Sequence, residues 1–159
     1  DGVQTGTHRT WLDPSGGMKA MLASPRRAMG NILGNAVRFG HADDVMIAGE
    51  GIETMLSLRE ILPTMPMAAA TSSAHLAAIM FPPTLQRLYV ARDRDAAGDA
   101  AFGILTDRAQ AAGIELMSLM PELGDFNDDL REHDASVLGQ QVCLLLHEHD
   151  RTRFFNDTG

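Results

Sequence analysis

The chain has 159 residues, 45% of them hydrophobic, and carries a formal net charge of −8 at pH 7. This length suits one domain, and the apolar content is enough to bury a core, which excludes an intrinsically disordered chain. No apolar run approaches the roughly 18 residues that a transmembrane helix needs, and the polar N-terminus is unlike a signal peptide. We therefore expect a protein that makes no contact with a membrane.

The single cysteine, Cys143, indicates the redox compartment, and the acidic net charge limits the ways in which the chain could bind nucleic acid. One cysteine forms no disulfide within the chain and no cysteine-based zinc site, which suits a reducing cytoplasm. A protein that holds DNA by itself is usually basic. The acid excess therefore indicates either a cation-binding cluster, with nucleic acid held by basic segments elsewhere, or a protein that does not bind nucleic acid.

The N-terminal part of the chain predicts a small β-hairpin region. In residues 1–23, polar and apolar residues alternate on both sides of the segment DPSGG at 13–17. Such a segment between two alternating runs is typical of a hairpin loop. Residues 24–40 favour a short helical or irregular piece followed by a strand near AVRF. This part is locally basic, and it either contacts nucleotide or template phosphates or forms a solvated face. The candidate phosphate-binding residues are Lys19, Arg26, Arg27 and Arg38.

From residue 43 onward, short apolar runs alternate with segments of helical spacing, an order typical of an α/β fold. We predict a mainly parallel four-stranded sheet flanked by helices. Residues 121–130 are expected to form a loop before a last helix at 136–149. The predicted units are residues 1–42, which pack on the core, residues 43–150, and a frayed tail at 151–159. The four predicted strands are residues 45–48, 67–70, 87–91 and 114–119.

Acidic residues follow three of the four predicted strands. Ligands of an open α/β sheet bind at the carboxyl ends of its strands, so we expect these carboxylates to meet at one edge of the sheet. Helix capping alone does not explain why acids follow three separate strands. In chain order they are Glu50, Asp93, Asp95, Asp125 and Asp128.

The segment Asp93-Arg94-Asp95 places two carboxylates on the same side of an extended chain. Adjacent carboxylates repel each other, and a hard divalent cation such as Mg²⁺ or Mn²⁺ removes that conflict. A different interpretation is that Asp95 only caps the helix that follows. The small residues at 96–98 allow phosphate or backbone to approach closely. Arg92 and Arg94 either hold a nucleotide phosphate or offset the local negative charge.

Several of these segments resemble the Toprim family, which is shared by primases, topoisomerases and some nucleases. The family pattern is a strand ending in Glu beside Gly, then a strand ending in Asp-x-Asp followed by a small residue and Gly. The chain has VMIAGEGIET at residues 45–54 and LYVARDRDAAG at residues 88–98. GDFNDDL at residues 124–130 is similar to the segment that closes the fold in plasmid- and phage-type primases. HRTWLDPSGGMKA, SPRRAMG and AVRFG look like the region that precedes Toprim in that group.

The resemblance implies a role for each acid. Glu50 would be the general acid or base and would also contact metal. Asp93 and Asp95 would be catalytic residues that bind Mg²⁺ or Mn²⁺. Asp125 and Asp128 would support the metal site from the last strand end.

The chain departs from the primase pattern at one position. Primases often carry an acid four residues after the Glu, where this chain has Thr54. The neighbouring acid is Glu53, which on a helix points about 100° away from position 54. The number of metal ions that the resemblance implies is therefore open.

The activity implied by the resemblance is Mg²⁺-dependent nucleotidyl transfer by a DNA primase. Such a domain makes RNA primers from ribonucleotides on single-stranded DNA, in plasmid or phage replication or in conjugation. A zinc-binding module and a helicase would be its partners in a larger replication protein. The same acids would serve a Toprim nuclease, and a Toprim fold without chemistry would bind nucleic acid or protein. A receiver domain is excluded, because the sequence lacks its acidic pair after the first strand and its Lys after the last.

Overall fold

The computed structural model describes residues 3–16 and 18–155 of the chain. Within them it contains a two-stranded antiparallel hairpin and a five-stranded sheet flanked by helices. The strands are β1 (Gly6–Thr10), β2 (Arg26–Gly30), β3 (Val37–Phe39), β4 (Val45–Gly49), β5 (Met67–Ala69), β6 (Arg87–Ala91) and β7 (Glu115–Leu119). The helices are α1 (Ile52–Ile61), α2 (Ser73–Ala77), α3 (Ala96–Ala112), α4 (Phe126–Glu132), α5 (Ala135–Leu145) and α6 (Glu148–Phe155).

The core sheet has the strand order β3-β5-β4-β6-β7. The β4–β5, β4–β6 and β6–β7 pairs are parallel and the β3–β5 pair is antiparallel, which confirms the predicted mainly parallel sheet. The sheet has one strand more than expected, because β3, predicted within the N-terminal region, pairs with β5 and extends the edge. Parallel pairing puts the carboxyl ends of β4, β6 and β7 side by side.

The central strand β4 is buried along its whole length, because helices cover both faces of the sheet. Val45 and Ile47 belong to an apolar cluster with side chains of α1, α4, α5 and α6. Met46 and Ala48 belong to a second cluster, on the opposite face, with side chains of α2 and α3. A parallel strand covered on both faces requires a continuous apolar run, which is the pattern that predicted it. None of the described helices is long and apolar enough to span a bilayer.

The N-terminal hairpin is larger than the sequence indicated. The predicted turn is flanked by an antiparallel bridge between Leu12 and Lys19, although Gly17 in that turn lies outside the described residues. The expectation of a helical or irregular piece is wrong for Arg26–Gly30, which forms β2 and pairs with β1 along its whole length. The partner strand determines this conformation, and local sequence preference does not reveal it.

The C-terminal part is also more helical than expected. The predicted loop at 121–130 contains the start of α4, because Asp125 caps that helix. The predicted last helix ends at Leu145, and α6 follows it as a separate helix. The expected frayed tail is wrong for residues 151–155, which belong to α6; residues 156–159 lie outside the described part of the chain. Phe154 packs into the apolar core and holds α6 in place.

A buried carboxylate fastens α6 to the sheet. Asp150 is 1% exposed and accepts hydrogen bonds from Arg87 Nη1 and from the Tyr89 hydroxyl, both at 2.7 Å. The Tyr89 oxygen in turn accepts the backbone N–H of His147 at 2.9 Å. Burial and the bond to Asp150 raise the pKa of Tyr89, which therefore stays a hydroxyl donor at neutral pH. Both partners of Asp150 belong to β6, so α6 is connected to the strand that leads into Asp93.

We expect Asp150→Ala to lower the free energy of unfolding by about 2–4 kcal/mol. The variant leaves the Arg87 cation and the Tyr89 hydroxyl without their shared acceptor in the protein interior. Urea denaturation followed by circular dichroism measures the loss as a lower midpoint.

Glu115→Ala is the matched control, because Glu115 pairs with the same arginine at 2.7 Å while its side chain is 51% exposed. We expect this variant to lose less than about 1 kcal/mol. Equal losses in the two variants would contradict the importance of the buried partner.

Candidate active site

The strands β4, β6 and β7 end in register. Gly49, Ala91 and Leu119 are their last residues, and each pairs directly with its neighbour across the sheet. The chain segments that leave these strands therefore begin side by side, at the edge where open α/β sheets bind their ligands. Glu50 follows β4 directly, and Asp93 follows β6 after a single arginine.

Four of the five predicted acids are close enough to act on one another electrostatically. Burial first, and then the charges of Glu50, Asp125 and Asp95, raise the pKa of Asp93 from 3.8 to about 6. Burial and the charge of Asp95 likewise raise the pKa of Glu50. The fold thus brings together acids from three strand ends that are far apart in the chain.

Asp128, the fifth predicted acid, lies in the first turn of α4. Its side chain is exposed, and its Oδ2 lies so near Gly124 that a Cβ there would approach it to 2.8 Å. The neighbouring Asp129 is fully buried and accepts the backbone N–H groups of Glu122 and Leu123, both at 2.8 Å. Asp129 therefore shapes the loop between β7 and α4. The pattern GDFNDDL contains three aspartates and does not indicate which of them has this role.

Asp95 and Asp125 both cap helices. Asp95 accepts the Gly98 N–H at 2.7 Å, and Asp125 accepts two N–H groups of α4 at 2.8 Å each. The capping interpretation of Asp95 is therefore right, and it is compatible with a second role because a helix N-terminus favours nearby negative charge. Gly98 permits this packing, since a Cβ there would lie 2.6 Å from the Asp93 carbonyl oxygen. The caps fix two carboxylates beside Asp93.

Glu50 is held by the chain that connects β5 to α2. The backbone N–H of Ser73 acts on its carboxylate and lowers its pKa slightly, and the Glu50 carbonyl accepts the backbone N–H of Thr71 at 2.8 Å. Thr71 has a φ of +73°, a left-handed conformation that β-branched residues rarely adopt. Such strain costs on the order of 1–3 kcal/mol and persists where the surrounding structure enforces it. Sequence reasoning missed Thr71, because no local pattern marks it.

The hairpin brings one of the predicted cations to Glu50. Arg26 and His8 line a pocket that also contains Glu50 and Glu53. Burial is the largest effect on the pKa of Glu50 and outweighs the opposing charge of Arg26. Arg26 donates to Glu53 at 2.6 Å, and Lys19 lies 3.5 Å from the same oxygen. Sequence reasoning missed His8, because the alternating pattern of β1 does not distinguish it from the other polar residues of that strand.

The other predicted cations have different surroundings. Arg94 donates from Nε to a carbonyl of the β7–α4 loop at 2.6 Å and so holds that loop. Arg92 pairs with a carboxylate of α3 and lies over an aromatic ring of the same helix, 4.6 Å from its centroid. Arg38 belongs to β3, which β5 separates from β4. Arg27 is exposed on β2 and points away from its neighbour Arg26.

Comparison with known proteins identifies the fold. Residues 45–136 match the family described as the Toprim domain. The chain belongs to the Toprim family. Residues 1–39 match a family described as a domain of unknown function, DUF7146. No curated protein matches the chain.

Two solved structures share this Toprim-containing fold. One holds the zinc-binding and RNA polymerase domains of Aquifex aeolicus primase; at 15% identity and a TM-score of 0.56, the match covers 82% of this chain and 39% of that chain. The other is the primase fragment of the bacteriophage T7 primase-helicase protein; at 16% identity and a TM-score of 0.53, the match covers 86% and 62%. The chain thus spans less than two thirds of either structure. The resemblance that the sequence motifs indicated is confirmed.

The Toprim acids suit a divalent cation that is shared with substrate. Within the described residues, no three His, Cys, Asp or Glu side chains lie close enough together to hold one ion. Mg²⁺ is usually bound by one or two carboxylates and completed by water and substrate phosphates. Asp93 Oδ1 is buried and has no hydrogen-bond partner in the described part of the chain. An unpaired, buried carboxylate oxygen beside other negative charges fits a cation of this kind.

We expect Asp93→Asn to raise the melting temperature by about 2–4 °C at about pH 7.5 without divalent cations, a shift worth about 1 kcal/mol after solvent screening. The folded protein keeps a proton on Asp93 up to about pH 6, whereas the unfolded chain releases it near 3.8. The ionised form therefore disfavours folding, and stability falls as pH rises between these values. Near about pH 4 the two proteins should melt together.

Asp107→Asn, a change of the same kind at an exposed position of α3, is the control and should leave the melting temperature unchanged. Mg²⁺ should raise the melting temperature of the wild type and of this control, but not that of Asp93→Asn. A destabilised Asp93→Asn protein at neutral pH would contradict the raised pKa.

Proposed function

We propose that this chain is the Mg²⁺-dependent nucleotidyl-transfer domain of a DNA primase, which makes RNA primers from ribonucleotides on single-stranded DNA. The observation that carries the proposal is the convergence of Glu50, Asp93, Asp95 and Asp125 at the ends of β4, β6 and β7. A nucleic-acid polymerase of this kind needs a cluster of carboxylates that gathers cation and phosphate in one place.

Asp93 and Asp95 are the residues that would hold Mg²⁺ or Mn²⁺. Glu50 and Asp125 lie beside them, and Asp128, which is exposed, is a further candidate to support the metal site. When bound, the cation neutralises charge on the phosphate oxygens and on the leaving pyrophosphate. The capped positions of Asp95 and Asp125 keep these carboxylates in place before substrate arrives.

Glu50 is suited to accept the proton of the attacking ribonucleotide 3′-hydroxyl. Its pKa is raised by burial and by Asp95, which makes it a better base than an exposed glutamate. Arg26 lies in the same pocket as Glu50, where its guanidinium can bind nucleotide phosphate. The remaining candidates for phosphate contacts are Lys19, Arg27, Arg38, Arg92 and Arg94.

The proposed setting is a larger cytoplasmic replication protein that serves plasmid or phage replication or conjugation. Two of the structures with this fold are a primase with a zinc-binding domain and the primase part of a primase-helicase. Both exceed the matched region in length, which supports a zinc-binding module and a helicase as partners of this chain.

We expect Asp93→Ala with Asp95→Ala to abolish primer synthesis. The assay contains the chain, single-stranded DNA, labelled ribonucleotides and Mg²⁺ or Mn²⁺, and RNA products are resolved on a denaturing gel. Glu50→Gln, which keeps the shape of the side chain but removes its basicity, should reduce the rate by about 100-fold or more. Asp107→Asn should make primers at the wild-type rate.

Other outcomes of the same assay separate the alternatives. Shortened DNA in the absence of ribonucleotides would show that the chain is a Toprim nuclease and not a primase. In a nuclease, water is the attacking group. Absence of both products, together with a melting temperature that Mg²⁺ does not change, would identify a Toprim module that only binds nucleic acid or protein. Thr54, which is 2% exposed where primases often carry an acid, is the feature that favours such a module.

A further inference from the structure

Glu53 lies where the N-terminal hairpin meets the Toprim core. It belongs to the first turn of α1, and two cations from the N-terminal region converge on its Oε1. Arg26 Nη2 lies at 2.6 Å and Lys19 Nζ at 3.5 Å. The three side chains are 40% to 43% exposed, so solvent reaches this ion cluster and each pair contributes modestly.

The hairpin depends on such contacts for its position. It is a separate two-stranded sheet, and every residue of β2 is exposed. A two-stranded ribbon is marginally stable in water and needs packing against another element. An ion cluster that joins β2 and the preceding turn to α1 therefore limits how the hairpin is oriented on the core.

Arg26 keeps binding capacity while it is paired with Glu53. The bond to Glu53 uses Nη2, and a guanidinium has five N–H donors in a planar fork. The side chain also lines the pocket that contains Glu50. Planar, paired donors match the oxygens of a phosphate group.

We propose that Glu53 is a positioning residue that docks the hairpin on the core and holds the Arg26 guanidinium beside Glu50, where it binds a phosphate of the incoming nucleotide. The inference rests on the proposed function, because it assigns the residue that places a cation for the same site. Glu53 acts through Arg26 and does not contact substrate itself. It also accounts for the acid at position 53, since Thr54 is buried and an acid there would face the protein interior.

Glu53→Gln tests both parts of the proposal. Hydrogen exchange of the β1 and β2 amides measures docking, and calorimetric titration with ATP and Mg²⁺, without DNA, measures phosphate binding. We expect faster exchange in both strands and about two- to five-fold weaker ATP binding, because an exposed ion pair is lost. Glu60→Gln is the control: Glu60 is exposed on the same helix, so neither measurement should change.

The charge-exchanged protein, Glu53→Arg with Arg26→Glu, separates docking from phosphate binding. The pair is restored in reverse, so slow exchange should return. Arg26→Gln, which removes the cation and leaves Glu53 in place, should bind ATP more weakly, and unchanged ATP binding in this variant would overturn the role of Arg26. Unchanged exchange in Glu53→Gln, or tighter ATP binding, would overturn the role of Glu53.

The two proposals fail in different ways. A wild-type protein that makes no primers, while Glu53→Gln shows faster hairpin exchange and weaker ATP binding, contradicts the proposed function and supports the docking role. A protein that makes primers while Glu53→Gln changes neither measurement contradicts the docking role alone.

Discussion

The in-register ends of β4, β6 and β7 determine the chemistry of this molecule. Because Gly49, Ala91 and Leu119 lie in one row, the acids that follow are placed at one edge of the sheet. The repulsion among them is a direct consequence of the strand pairing. Burial is the largest cause of the raised pKa of Asp93, which reaches about 6, and repulsion by the neighbouring carboxylates adds to it. The clustered carboxylates therefore lower the stability of the protein when no cation is bound, as is common where charges are assembled to bind a ligand.

The surrounding backbone compensates for this concentration of charge. Asp95 and Asp125 receive N–H groups from the helices they cap. Each of these helix N-termini carries partial positive charge toward a carboxylate. The left-handed conformation of Thr71 belongs to the same arrangement, because its N–H is bonded to the Glu50 carbonyl. Electrostatic support thus comes from the main chain as well as from arginine side chains.

The core of the fold and most of the acids could be predicted from the sequence, because buried parallel strands and the turns after them have strong local signals. The apolar runs VMIA and LYV each predict a strand. The acids that follow these strands could be assigned to one edge of the sheet from the topology alone. The pairing of β2 with β1 could not be predicted, since it depends on a partner distant in the chain. Among the aspartates of GDFNDDL, sequence could not separate the cap, the exposed Asp128 and the buried Asp129. That distinction arises from the direction of each side chain on a helix whose start was itself not predicted.

The connection between α6 and the sheet bears on where this domain ends. The Toprim match stops at residue 136, yet the buried carboxylate that pairs with Arg87 is Asp150. Similarity of sequence and integrity of structure therefore define different boundaries. A fragment trimmed to the matched region would keep every acid of the site, but Arg87 would retain only the half-exposed Glu115 and Tyr89 would lose its acceptor. The buried ion pair that connects α6 to the sheet therefore lies beyond the residues that the family model matches.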